Sequence, residues 1–105
     1  MTTKSMVLDD AVASVFKALG NPYRLKIVRW VHQHHELSVT QLTEALKLSQ
    51  SSVSQHLSVL KLSGVLSSRK VGQSVFYMIS DEAIPLMVEL CDSMVERGET
   101  TSDAA

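Results

Sequence analysis

Residues 50 to 63 hold two glutamines, Gln50 and Gln55, and five serines, Ser51, Ser52, Ser54, Ser58 and Ser63, with no acid among them. These are short, uncharged hydrogen-bonding groups. A glutamine amide matches the donor and acceptor on the major-groove edge of adenine, and a serine hydroxyl can donate or accept. At 100° per residue, Val53, Leu57 and Leu60 share one side of a helix and Ser51, Gln55 and Ser58 the other. Ser52 and Ser54 lie on the flanks, and Gln50 sits at the entry turn. His56 turns partly inward, which fits a structural role or a phosphate contact equally well. Serine is a mediocre helix former, so five in one helix cost local stability, and that cost points to function.

Three other groups could do chemistry. Arg69, Lys70 and Gln73 fall at the tip of an expected hairpin, where bases would lie over phosphates or a minor groove. His32, His35 and Glu36 have a spacing that can bind zinc, copper or nickel. The plainer reading is preferred there: histidines at a helix carboxyl end are electrostatically welcome and solvated. Cys91 could sense oxidants or electrophiles, but a lone cysteine on an apolar stripe more often packs. No nucleophile–base pair, phosphate loop or HExxH stands in the chain, so neither an enzyme nor a cofactor is expected.

The elements that must position these groups can be read from capping signals and period. A first helix is expected over about Met6 to Leu19, ended at Gly20. Asn21 and Pro22 read as the start of a second, running to about His34 and apolar on more than one side. Ser38 and Gln41 form a capping box for a third, whose apolar face is Leu42, Ala45 and Leu46. Lys47, Leu48 and Ser49 make a short turn into the serine-rich helix, Gln50 to Leu62, stopped by Gly64. Two helices joined by so short a turn form a helix-turn-helix. Strands over 65–71 and 74–79 meet at Gly72 and Gln73. A last helix begins near Ser80 or Asp81 and ends near Gly98, followed by a polar tail over about 99–105 expected to fray.

At 105 residues the chain is read as one domain, 1–105, mainly α with a small β-hairpin. No run approaches the ~18 apolar residues of a membrane span. The first ten residues lack the pattern of a signal peptide, and a single cysteine fits a reducing cytosol, so the expected location is cytoplasmic. The net charge of −1 hides a segregation. From Val15 to Ile79 eight bases face two acids, a balance of +6, whereas one base and seven acids after Ile79 leave −6. A basic middle between acidic ends is a footprint for a polyanion.

Three stretches resemble the ArsR/SmtB family of winged-helix regulators: 18–28 (ALGNPYRLKIV), 48–57 (LSQSSVSQHL) and the wing 69–77 (RKVGQSVFY). The likeness runs from about Val15 to Ile79. It implies an elongated homodimer built from the first and last helices, with Leu8, Val12, Val15, Ile84, Met87, Val88, Cys91, Met94 and Val95 at the interface. It implies a recognition helix in each of two successive major grooves of a roughly palindromic double-stranded operator. Carried over by position, Gln50, Ser51, Ser54, Gln55 and His56 would meet bases or phosphate, with Arg69, Lys70 and Gln73 on the wing. Members of the family typically repress until an inducer, often a metal, binds. The cysteine pair that serves one family metal site falls here on Leu37–Leu42, which has no cysteine. The last helix, which serves another, has Asp81, Glu89, Asp92 and Glu96 but no histidine. Carboxylates alone hold zinc or nickel poorly. The expected function is a sequence-specific repressor with no resident metal and an unspecified inducer. A winged-helix protein-interaction module, or a repressor responding through His32–Glu36 or Cys91, are the alternatives.

Overall fold

A computed structural model describes the backbone of residues 3–104 and the side chains of residues 5–98. Its elements are α1 (Thr3–Leu19), α2 (Pro22–His34), β1 (Leu37–Ser38), α3 (Val39–Leu46), α4 (Gln50–Leu62), β2 (Leu66–Val71), β3 (Ser74–Ile79) and α5 (Ala83–Ala104). The expected order of helices and hairpin is present, with one addition. Leu37 and Ser38 form a third strand that pairs antiparallel with β3, Leu37 opposite Tyr77 and Ser38 opposite Phe76, giving the sheet order β1-β3-β2. The helix expected to end near Gly98 continues to Ala104, through the segment read as a frayed tail. The side chains of 99–105 lie outside the described residues.

Local chemistry explains most boundaries. The Asn21 side chain accepts from the backbone N–H groups of Tyr23 and Arg24, and Pro22 fills a first-turn position whose N–H would have no partner. Ser38 and Gln41 close the expected capping box at 3.1 and 2.9 Å. Lys47 adopts the left-handed conformation (φ 57°) that ends α3 and turns the chain into α4. Gly64, at φ 84°, ends α4: its N–H bonds the Lys61 carbonyl, and the Val65 N–H reaches back to Leu60. Those two bonds are the Schellman arrangement, which satisfies carbonyls that a helix end leaves unpaired.

The core gathers Ile27, Val28 and Val31 from α2, Leu42 from α3, Val53, Leu57 and Leu60 from α4, Val65 and Leu66, and Ile84 and Val88 from α5. Ala45, expected on the inner face of α3, is exposed. The radius of gyration is 15.8 Å, where a compact chain of this length has about 13 Å. The excess reflects what α1 and α5 leave uncovered: Met6, Val7, Leu8, Val12 and Phe16 on one, Leu86, Leu90, Met94 and Val95 on the other, each 45–71% exposed. None of the described helices is long and apolar enough to cross a membrane.

Candidate nucleic-acid interface

The serine-rich helix begins and ends where its sequence predicts. Ser49 caps it, accepting from the Ser52 N–H at 3.1 Å and bonding the Ser52 hydroxyl at 2.9 Å. Val53, Leu57 and Leu60 are fully buried, so the helix cannot rotate about its axis without exposing all three. That anchorage turns Gln50, Ser51, Ser54, Gln55 and Ser58 to solvent, while Ser52 stays half-buried beside its cap. The outward face is a row of amides and hydroxyls without an acid. It sits on a helix whose positive, N–H-rich end opens at Ser49.

His56 is half-buried. Its ring stacks on Tyr23 with centroids 5.8 Å apart, and its Nδ1 lies 3.3 Å from Nη1 of Arg24. Burial first, and the Arg24 charge second, hold its pKa below the ordinary 6.5. The structure thus gives it a packing partner and an ionic neighbour within the chain. Sequence reasoning read Arg24 and Tyr23 as part of a helix start and of the stretch 18–28 that resembles the family, and gave neither a role at the site. One signal was available. A base in the first turn opposes the helix dipole and asks for a compensating partner.

The wing is rearranged relative to expectation. β2 and β3 pair from Leu66–Ile79 to Val71–Ser74, and Gly72 (φ 61°) leads the two-residue turn, the position a type II′ hairpin gives to glycine. Gln73 is in the turn, and Lys70 is one pair from the tip, both exposed. Arg69 lies further down, opposite Phe76, with its guanidinium 5.6 Å from that ring. It also donates to both carboxylate oxygens of Glu36, at 3.0 and 2.7 Å. The hydrogen bonds from Arg69 hold Glu36 below the usual carboxylate range. Arg69 is therefore not at the tip, and its charge is already partnered.

That pairing also divides the histidine cluster. Glu36 turns to the wing, while His32 and His35 border a shallow pocket with Met78, Ile79 and Glu82. Among the described residues no group of three or more His, Cys, Asp or Glu is placed to hold a metal ion. Of the stripe expected at a subunit interface, Leu8, Val12, Cys91, Met94 and Val95 are exposed and Val15 and Met87 half-buried. Ile84 and Val88 lie in the core of the chain itself. Between α1, α2 and α5 runs a groove of about 540 Å³, lined by Phe16, Leu19, Leu25, Met87, Cys91 and Val95 among others. Arg29 of α2 and Asp92 of α5 pair across its wall at 2.7 and 2.8 Å.

A helix-turn-helix with an acid-free polar outer face, followed by a hairpin, defines a winged helix-turn-helix regulator. The family model described as "Bacterial regulatory protein, arsR family" matches residues 21–68. The transcriptional activator HlyU of Vibrio cholerae is 41% identical over 91 residues, spanning 86% of this chain and 83% of its own. Its solved structure superposes with a TM-score of 0.73 over 90% of this chain and 97% of that one. The transcriptional repressor PagR of Bacillus anthracis is 40% identical over 81% of this chain and 84% of its own. The solution structure of the homodimeric winged helix-turn-helix DNA-binding domain of Mb0332 from Mycobacterium bovis gives a TM-score of 0.84 at 28% identity, over 93% of this chain and 90% of that one. The chain belongs to the arsR family of bacterial regulatory proteins and is a transcriptional regulator, not an enzyme.

Proposed function

We propose that the protein acts in the cytoplasm as a homodimeric repressor, residues 1–105 forming a single winged-helix unit that binds a roughly palindromic operator. The observation that carries this reading is the outer face of α4 from Gln50 to Ser58, polar, free of acid and locked outward by three fully buried residues. Gln55, Ser51 and Ser54 read base edges, Gln50 lies at the phosphate-facing helix start, and Lys70 and Gln73 reach flanking phosphates. The dimer is supported by the apolar faces of α1 and α5, too large for a chain that works alone, and by the homodimer of Mb0332. The two recognition helices then meet successive major grooves, one helical turn apart.

The test is anisotropy binding of the purified protein to its own promoter fragment and to a scrambled duplex across a salt series. Specific binding is expected, with a preference over the scrambled duplex of about 10³-fold or more. Equal, weak binding to both would favour a winged-helix protein-interaction module. A promoter reporter in cells with and without the regulator decides the sign, and repression requires higher output in its absence. Zinc, copper, nickel and an oxidant, each titrated against the operator complex, identify an inducing signal by release.

A further inference from the structure

Arg24 occupies the first turn of α2, where the helix dipole disfavours a cation, so its placement needs a reason. Its guanidinium reaches away from its own helix. Nε donates to the Ala18 carbonyl at 2.6 Å and Nη2 to the Lys17 carbonyl at 3.4 Å. These carbonyls belong to the last turn of α1, the negative end of that helix, which lacks intrahelical donors. The third arm, Nη1, lies 3.3 Å from Nδ1 of His56 on α4. A guanidinium has donors only. The contact is a hydrogen bond only when Nδ1 carries no proton, which leaves the neutral ring protonated at Nε2.

We propose that Arg24 is a positioning residue for DNA reading, bracing the recognition helix against the end of α1 and fixing His56 as the Nε2–H tautomer. The ring then has one donor left to offer to a phosphate oxygen. Stacking on Tyr23 holds the ring plane, and the lowered pKa keeps the ring neutral near pH 7. One side chain thereby ties together α1, α2 and α4. Lysine cannot replace it, because a single ammonium has no planar fork to span three acceptors on three elements. The idea rests on the DNA-binding reading of α4, but its central claim concerns the free protein.

Two measurements test it. The first is the side-chain 15N spectrum of His56 in the free protein at pH 7.5. An unprotonated Nδ1 and a protonated Nε2 are expected, and an Nδ1–H tautomer or an even mixture overturns the proposal. The second is Arg24→Lys, which keeps the charge and removes the fork. The variant should show mixed His56 tautomers and about ten-fold weaker operator binding, the scale of one lost charge-assisted hydrogen bond. Its salt slope should not change, because the charge is kept. Wild-type operator affinity in Arg24→Lys, or a changed salt slope, overturns the positioning role. If the variant does not fold, the wild-type spectrum decides alone. If the wild type shows the tautomer yet prefers no operator, the DNA-reading proposal fails while the brace stands.

Discussion

At the scale of single residues, the DNA-binding role proposed for α4 separates side chains expected to specify sequence from those that hold position. Gln55 is exposed, and its side chain has no hydrogen-bond partner among the described residues. Gln55→Ala should weaken operator binding by about 1–3 kcal/mol and leave nonspecific affinity unchanged. A uniform loss across sequences would contradict base reading. Arg69 and Lys70 are adjacent bases with different duties. Lys70→Ala should lower the slope of log affinity against log salt by about one. Arg69→Ala should change that slope less, because Glu36 already engages the charge, and it should instead loosen the hairpin, seen as faster amide exchange in β2. His56 supplies a pH dependence. Its folded pKa lies below the unfolded 6.5, so the unfolded chain binds more protons in that interval. Stability contributed by the neutral ring is present above 6.5 and is lost as pH falls through the lower, folded value. Arg24 and Tyr23 face the ring from α2, and the Arg24 charge opposes protonation. His56→Gln should flatten the urea midpoint between about pH 7 and 5.

At the scale of elements, stability follows burial and caps. Leu57→Ala removes a fully buried side chain from the back of α4 and should cost ~2–5 kcal/mol in urea unfolding. Gly64→Ala meets no atom within 4 Å, so its cost is the backbone alone, about 1–2 kcal/mol for a side chain held at φ 84°. The limits of α4 were legible because their signals are local: Ser49 before the helix, Gly64 after it, and three apolar residues at helical spacing between. β1 was not, because two residues carry no period and their pairing depends on Tyr77 and Phe76, far along the chain. The same holds for side-chain partners. Glu36 and Arg69 are 33 positions apart, Arg24 and His56 32, and nothing in either neighbourhood names the other. The apolar stripe of α5 was visible as a stripe. Which residues turn to the core and which outward depends on where α2 lies, so Ile84 and Val88 were grouped with Met94. Gly98 suggested an end for α5, but one glycine costs a helix only about 1 kcal/mol, and the helix passes through it.

At the scale of the molecule, the exposed apolar faces of α1 and α5 are the surface through which the proposed homodimer associates. Met94 is 59% exposed in the single chain, so Met94→Asp should leave the fold intact and shift sedimentation equilibrium towards the monomer. Operator affinity should then fall by roughly 100-fold or more, as two linked half-sites become independent. A dimeric Met94→Asp would move the interface elsewhere. The joint between α4 and the hairpin bears on the same question. Ser63, Gly64 and Val65 pass directly from helix to strand, Val65 is buried, and its carbonyl accepts from the Ser80 N–H at 3.1 Å, clamping the joint to the far end of β3. Reading helix and wing are thus two jaws of one fixed calliper. A pair of such callipers has a single adjustable span, the one set where the two copies meet. In the homodimer proposed above, that span is where a releasing signal is expected to act, through the angle between the two heads.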